Sequence, residues 1–352
     1  MGTFSVRRRS AMRFSNCRLI TRMAVLLVCL AVPAWAGAGG AQSQEKSVQA
    51  GTAQLSEEIL KRSTVFFAAP PFMPAENVYE DVVKDHEQGY FIVSLQSRAE
   101  FAKGHVPGAV NIPFEEITEQ KSLALLPRDK MIVLTCDDGH RSMMASLYFN
   151  QLGYSATTMP MGLSHWNRAQ SAAPYTASAG YPVSTEKTEA VPGKKIPTVP
   201  GKGAEGDALI TERTKAVLGS GKPFFMDRAE LHREQAKDGG KGVFVFSIQR
   251  PEDYALGHVP GAVSIPFSQI ATMESLGKLP TDRKIVVVCY IGHIGAAVTL
   301  MLNQLGYDAY DLRFGTMGWN DTTEGLGKMK GFLLNLGLDN RYPVEGEKAK
   351  GD

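Results

Sequence analysis

The chain has 352 residues, 43% of them hydrophobic and 21% charged, a composition typical of a globular protein rather than a disordered or fibrous one. It has 38 Lys and Arg against 36 Asp and Glu, so there is no basic surplus to suggest binding to nucleic acid. The length is sufficient for two domains, each with its own core.

The first 36 residues have the layout of a secretory signal peptide. Basic Arg7, Arg8 and Arg9 precede the apolar run MAVLLVCLAV, and a small-residue cleavage pattern ends at Ala36. The sequence therefore predicts export to the periplasm or the medium, with 37–71 as an N-terminal extension. The run is too short for a stable membrane span, although an uncleaved N-terminal anchor is the alternative. Cleavage would remove six arginines and no acid, leaving 32 basic against 36 acidic side chains.

The rest of the chain is an internal repeat with an offset of 153 residues. The segment GHVPGAVNIPF from Gly104 returns as GHVPGAVSIPF from Gly257, and NQLGY returns in the same register. A constant offset over so many features indicates a duplicated domain. Between the copies, a Pro-, Gly- and Lys-rich stretch without hydrophobic periodicity predicts a linker. The predicted bounds are 72–183 for domain 1, 184–224 for the linker, 225–344 for domain 2 and 345–352 for a tail.

Within each copy, short β-rich runs alternate with helical patterns. GYFIVSL and KMIVLT are typical of strands, whereas SMMASLYFNQLG and AAVTLMLNQLG carry apolar residues at helical spacing and end at glycine. The alternation predicts the α/β class, each domain being a mainly parallel central sheet flanked by helices. Polar sites in such sheets lie at the carboxyl ends of the strands.

Two cysteines occupy that position. After removal of Cys17 and Cys29 with the leader, Cys136 opens CDDGHRS behind KMIVLT, and Cys289 opens CYIGHIG behind RKIVVV. A thiolate there faces loop amides and the positive end of a helix dipole, a setting that is expected to lower the thiol pKa. Neither cysteine has a second ligand at metal spacing, so no metal is predicted.

The ordered set of EF, GHVPGAVNIP, IVLTCDDGHRS and LGY followed by GLSHWN resembles the rhodanese, or sulfurtransferase, family, and the set occurs twice. The resemblance implies two tandem rhodanese-like domains with Cys136 and Cys289 as catalytic nucleophiles. Each would take a sulfane sulfur from a small donor such as thiosulfate, hold it as a persulfide, and pass it to a thiol, to cyanide or to a protein partner, without a cofactor. Both copies depart from the family at the strand end before EF, with Ser and Gln in place of Asp and Arg.

The two loops differ in charge. Arg141 matches the basic residue usual in the family and is expected to bind an anionic donor, although the neighbouring Asp137 and Asp138 would repel one. Ile294 stands at the equivalent position in the second loop, so domain 2 is expected to have weak activity or to use another donor. Cys136→Ser is accordingly expected to remove most thiosulfate activity.

Only four residues separate Cys136 from Arg141, whereas related phosphatases and arsenate reductases have five. The predicted substrate-binding residues are Asp138, Gly139, His140, Arg141, Gly292 and His293.

Alternatives remain open for the histidines and for the function. His140 and His293 would tune the thiolate or protonate a leaving group, or else be exposed loop residues. The first alternative function is a persulfide or chalcogen carrier with little turnover of small molecules. The second is a redox sensor that forms a reversible Cys136–Cys289 disulfide.

Overall fold

The computed structural model describes residues 54–190, 196–197 and 204–346. The predicted leader, the first part of the predicted extension, a minor part of the predicted linker and most of the predicted tail lie outside the described residues. In the part that is described, no helix combines the length and the apolar character needed to cross a membrane.

The first copy alternates helices and short strands. A π-helix at Val78–Lys84 and 3-10 turns at Phe114–Glu116 and Arg168–Gln170 complete it. Its elements are α1 (54–68), α2 (Ala75–Asn77), β1 (Tyr90–Ser94), α3 (Arg98–Lys103), β2 (Val110–Asn111), α4 (Gln120–Leu123), β3 (Met131–Thr135), α5 (His140–Gln151), β4 (Ala156–Thr158) and α6 (Leu163–Trp166).

The second copy repeats this order. Its 3-10 turns are Asp238–Gly240, Phe267–Gln269 and Glu324–Met329. Its elements are α7 (Gly206–Leu218), β5 (Phe225–Met226), α8 (Arg228–Ala236), β6 (Val243–Ser247), α9 (Pro251–Leu256), β7 (Val263–Ser264), α10 (Met273–Leu276), β8 (Lys284–Val288), α11 (His293–Gln304), β9 (Ala309–Leu312), α12 (Gly315–Trp319) and α13 (Lys330–Asn335).

Both sheets are parallel, which confirms the predicted fold class. The strand orders are β2-β1-β3-β4 and β5-β9-β8-β6-β7, and a single parallel bridge from Phe72 to Thr158 stands where the second copy has β5. The central strands β3 and β8 are runs of Ile, Val and Leu that are buried at four of five positions, as expected of strands covered on both faces. A cysteine follows each of these two strands.

The helices after the cysteines, α5 and α11, pack against each other where the copies meet. Each is buried on almost every face, and one continuous core takes Leu147 and Leu300 alike. The amide groups of Gln151 and Gln304, equivalent in the repeat, exchange hydrogen bonds of 3.0 and 2.9 Å. Residues that pair with their own equivalents indicate that a pseudo-twofold axis relates the copies.

The segment that closes each copy packs on the other copy. The Tyr181 backbone N–H donates to the Trp319 carbonyl (3.1 Å), and that of Tyr342 donates to the Trp166 carbonyl (2.9 Å). Trp166 and Trp319 are buried, and their indole N–H groups donate to the carbonyls of Pro343 and Pro182, both at 2.8 Å. We call residues 179–184 and 340–345 the exchanged tails.

Candidate active site: the two cysteine loops

Each cysteine lies in a tight loop between a central strand and a helix. The Gly139 N–H points at Cys136 Sγ (3.1 Å), and the Gly292 N–H points at Cys289 Sγ (3.0 Å). Both cysteines are free. The two loops therefore repeat the same arrangement. A backbone amide faces the sulfur, and a long helix begins directly after that amide's residue.

Glycines make these loops sterically allowed. Gly139 and Gly292 precede α5 and α11 with φ of 87° and 84°, in the left-handed region that other residues adopt at a cost. Gly162 and Gly315 lie so close to the cysteine carbonyls that a Cβ there would collide with the carbonyl oxygen. Each cysteine carbonyl accepts the N–H group of the residue after the neighbouring glycine, at 2.9 and 2.8 Å. These hydrogen bonds fix the backbone position of each cysteine.

Both thiols are closed off from solvent, with Cys136 1% and Cys289 3% exposed. Burial, with the charges of Asp138 and Asp137, raises the pKa of the Cys136 thiol to about 12. Burial, with the Asp311 carboxyl acting in the same direction, raises the pKa of the Cys289 thiol to about 12. The expectation of a lowered thiol pKa is thus wrong for these closed loops, because loss of hydration outweighs the loop amides.

The structure places Arg141 on the outer side of its helix. Its side chain is 43% exposed, with Nη2 3.9 Å from Glu115 Oε1 and the guanidinium 5.7 Å from the centre of the Phe114 ring. Arg141 thus lies near the segment after β2, and its charge also acts on Asp137 in the cysteine loop. A different arginine, Arg313, lies at the first loop.

Arg313 follows β9 in the second copy and reaches the first cysteine loop. Its Nε and Nη2 donate to Asp138 Oδ2 at 2.9 and 2.5 Å. Asp138 is 4% exposed. The contacts with His140 and Arg313 hold the pKa of this carboxyl well below its usual range, against burial, which acts to raise it. An ion pair between the copies therefore lies beside Cys136.

The two loop histidines cross between the copies. His140 Nε2 accepts the Phe314 N–H (3.1 Å) and lies against Gly292, where a Cβ would collide with it. His293 Nε2 donates to the Asp138 carbonyl (3.0 Å), and a Cβ at Gly139 would lie 2.5 Å from it. Both rings are fully buried, and burial lowers the pKa of His293 to about 3, so it stays neutral. Each imidazole thus packs against the glycine of the other loop.

Asp311 is a site residue that the sequence analysis did not identify. It is fully buried on β9, and neither carboxylate oxygen has a hydrogen-bond partner among the described residues. Its Oδ2 lies 3.7 Å from His140 Nε2, and Oδ1 rests against Gly295, where any side chain would collide with it. Burial, and then the charge of Asp138, raise its pKa well above the usual range. A carboxyl without donors in an apolar interior keeps its proton.

This buried carboxyl gives a testable pH dependence. The unfolded chain releases the Asp311 proton above its ordinary pKa while the folded protein retains it, so stability falls as the pH rises. One proton held only by the folded state corresponds to about 1.4 kcal/mol per pH unit, over the interval from the ordinary carboxyl pKa up to the raised pKa of the folded protein. Asp311→Asn is expected to flatten this slope, measured as urea unfolding at a series of pH values above the ordinary carboxyl pKa.

The control is Asp308→Asn, at the residue immediately before β9, which removes a carboxylate that is half exposed and paired with Lys222. It is expected to leave the slope as in the wild type. His293 does not affect the comparison, because all of these proteins retain it and its lowered pKa affects stability only as the pH falls below its ordinary range. The assignment fails if Asp311→Asn and the wild type lose stability equally over this interval.

Comparison with known proteins agrees with the geometry. The family described as Rhodanese-like domain matches residues 78–169 and 227–322, together more than half of the chain. A probable adenylyltransferase/sulfurtransferase of Mycobacterium tuberculosis is 32% identical over 83 residues, which are 23% of this chain and 21% of that protein. A sulfurtransferase of Allochromatium vinosum is 32% identical over 78 residues, 22% of this chain and 71% of that one. A solved thiosulfate sulfurtransferase of Pseudomonas aeruginosa aligns with 75% of this chain and 48% of that one, at 18% identity and a TM-score of 0.29.

Proposed function

Because the chain belongs to the rhodanese-like family, we propose that it is an exported sulfurtransferase that moves a sulfane sulfur through a cysteine persulfide. The observation that supports this most directly is the pair of cysteines at strand ends. In each loop a glycine N–H lies within hydrogen-bonding distance of Sγ, at 3.1 and 3.0 Å. Amides that face the thiol also face the outer sulfur of a persulfide and stabilise its negative charge.

With thiosulfate as donor, the thiolate attacks the outer, sulfane sulfur. The sulfur–sulfur bond of thiosulfate breaks, and sulfite leaves with the bonding electrons. The enzyme then carries a cysteine persulfide, whose outer sulfur is attacked by cyanide to give thiocyanate and the original thiolate. This two-step exchange is a ping-pong cycle in which no electron is gained or lost overall.

The burial of both thiols adds a requirement to the cycle. A thiol that is 1% or 3% exposed and titrates near pH 12 is a poor nucleophile at neutral pH. The donor must therefore reach the sulfur through an opening of the loop, and the proton must leave as it enters.

The test uses the purified protein with thiosulfate and cyanide, with thiocyanate as the product measured. Intact mass after thiosulfate alone counts the sulfur atoms gained, and peptide mapping assigns them to Cys136 or Cys289. The expected result is turnover together with a gain of sulfur mass on at least one cysteine. The variant Cys136→Ser/Cys289→Ser is expected to lose both. Absence of turnover and of any sulfur gain in the wild type would refute the proposal.

The closed thiols also favour a second candidate, a persulfide carrier. A buried persulfide is shielded from cyanide and small thiols and discharges only to a partner that opens the loop. The same mass experiment separates the two functions. A carrier gains sulfur and keeps it when cyanide is added, whereas a sulfurtransferase returns to the unmodified mass.

The proposal of export is based on the N-terminal pattern alone. Intact mass of the protein recovered from its source cells tests it, since cleavage after Ala36 leaves a chain that begins at Gly37. Recovery of the uncleaved chain with the membrane fraction would favour the N-terminal anchor instead.

A further inference from the structure

The carboxylate of Asp138 occupies the position at the first loop where an anion would bind. Its Oδ1 accepts the backbone N–H of His140, the first residue of α5, at 3.2 Å, and lies 3.7 Å from Cys136 Sγ. The N-terminus of a helix is a favourable place for an anion because unpaired N–H groups point outward there. The first loop therefore carries a carboxylate oxygen 3.7 Å from the thiol sulfur, at the N-terminus of α5.

This carboxylate is fixed from the other copy. Both hydrogen bonds of Arg313 go to Asp138 Oδ2, whereas Oδ1 lies near the Cys136 sulfur, the His140 N–H and, at 3.2 Å, the His140 Nδ1. Asp138 is almost fully buried, whereas Arg313 is 33% exposed on its side chain. The cation thus contacts Oδ2, while Oδ1 is the carboxylate oxygen that lies 3.7 Å from Cys136 Sγ.

The second loop has no such anion. Ile291 stands at the position equivalent to Asp138, and Pro160 at the position equivalent to Arg313. Ile291 is buried. The buried carboxyl near Cys289 is Asp311, whose proton is retained for the reasons given above. The two loops therefore offer the same amides to a donor but a different charge beside the sulfur.

Resting on the proposed sulfurtransferase function, we infer that Asp138, held by Arg313, is the specificity-determining residue of the first site and disfavours dianionic donors there. Cys289 then takes sulfur from thiosulfate, and Cys136 takes it from donors of lower negative charge. This reverses the expectation from the sequence that Cys136 carries most thiosulfate activity, because Asp138 lies at the sulfur and Arg141 lies on the outer side of the helix.

The test compares two donors that differ by one charge, thiosulfate and benzenethiosulfonate. A thiolate attacks the outer sulfur of either one, which forms a persulfide and releases sulfite or benzenesulfinate with the bonding electrons. Cys289→Ser leaves only Cys136, and Cys136→Ser leaves only Cys289. For each protein the readout is the ratio of the two rates of sulfur gain, measured by intact mass. The ratio of thiosulfate to benzenethiosulfonate is expected to be lower for Cys136 than for Cys289.

Asp138→Asn in the Cys289→Ser protein then isolates the charge. It is expected to raise the ratio about tenfold or more, since two like charges about 4 Å apart repel strongly where water is excluded. The difference in size between the two donors does not affect this comparison, because the ratio is measured at the same loop before and after the substitution. Asp137→Asn is the matched control, since it removes the same formal charge but its carboxylate is turned to the Ala172 N–H. Its effect on the ratio is expected to be smaller.

A reciprocal variant keeps the inference testable even where Asp138→Asn disturbs the contact between the copies. Ile291→Asp combined with Pro160→Arg in the Cys136→Ser protein supplies both the carboxylate and a cation to keep it ionised at the second loop, and is expected to lower the ratio for Cys289. Unchanged ratios in both variants, with sulfur still gained, would overturn the role of Asp138 and leave the proposed function standing. Failure of both thiols to gain sulfur from either donor would instead overturn the proposed function.

Discussion

Replacing Trp166 by alanine is expected to lower the free energy of unfolding by about 3–5 kcal/mol, the range for removal of a fully buried large aromatic side chain. The indole is 0% exposed, lies 4.9 Å from the Tyr342 ring between centroids, and donates to the Pro343 carbonyl. Alanine would leave a cavity and an unpaired carbonyl under the exchanged tail. Chemical denaturation followed by circular dichroism measures the effect.

The repeat supplies the matched variant. Trp319→Ala removes the equivalent contacts with Tyr181 and Pro182 and is expected to have a similar effect. Trp166→Phe retains most of the apolar contact and is expected to lose only about 1–2 kcal/mol, mainly for the lost hydrogen bond. If either alanine variant lowered the free energy of unfolding by less than Trp166→Phe does, the burial of these side chains beneath the tails would be contradicted.

Replacing Gly292 by alanine is expected to lower the free energy of unfolding by about 2–4 kcal/mol. An alanine at φ of 84° is strained by about 1 kcal/mol, and its Cβ would collide with His140 Nε2, which adds an overpacking cost of about 1–3 kcal/mol. The new Cβ would also lie 2.9 Å from the Phe314 backbone nitrogen, so of these costs only the collision with the imidazole depends on the histidine. The pair Gly292→Ala and His140→Ala therefore forms a double-mutant cycle across the two loops.

In that cycle the double variant is expected to be more stable than the sum of the two single effects by about 1 kcal/mol or more, because His140→Ala vacates the space that the new Cβ needs. Gly139→Ala with His293→Ala repeats the cycle in the other direction. Additive effects in both cycles would show that the imidazoles do not lie against these glycines.

Much of this architecture could be predicted because the features are local or periodic. The strand before each cysteine is a run of β-branched residues, and the helix after it has its own apolar spacing and a terminal glycine. The offset of 153 residues then required that whatever held for Cys136 also held for Cys289. The class of the sheet and the strand-end position of both thiols followed from these patterns.

The contacts between the copies could not be obtained in this way. The repeat is the same whether the segment that closes each copy folds back on the tryptophan of its own copy or crosses to the other copy. The position of His140 four residues after the cysteine likewise gave no sign that its ring lies at Gly292. Such facts depend on how two sheets pack, which periodicity within one copy does not specify.

Asp311 and Arg313 were missed for a different reason. Each occurs in one copy only, with Thr158 and Pro160 at the equivalent positions. A search for repeated features therefore passes over them. The signal that could have identified them is the departure itself, since two charged residues appear at the end of a strand that is uncharged in the other copy.

The exchanged tails have a consequence for how the chain could be divided. A fragment cut between the copies would separate each tryptophan from the segment that covers it, so neither half would carry its own complete core. A protease nick between residues 190 and 204 would leave the halves joined through both tails. A protein built from a single copy could make these contacts only in a domain-swapped dimer, in which the tail of each molecule packs on the other molecule. Within this chain the two copies therefore complete each other's cores, through the same kind of exchange of an element that domain-swapped dimers make between two molecules.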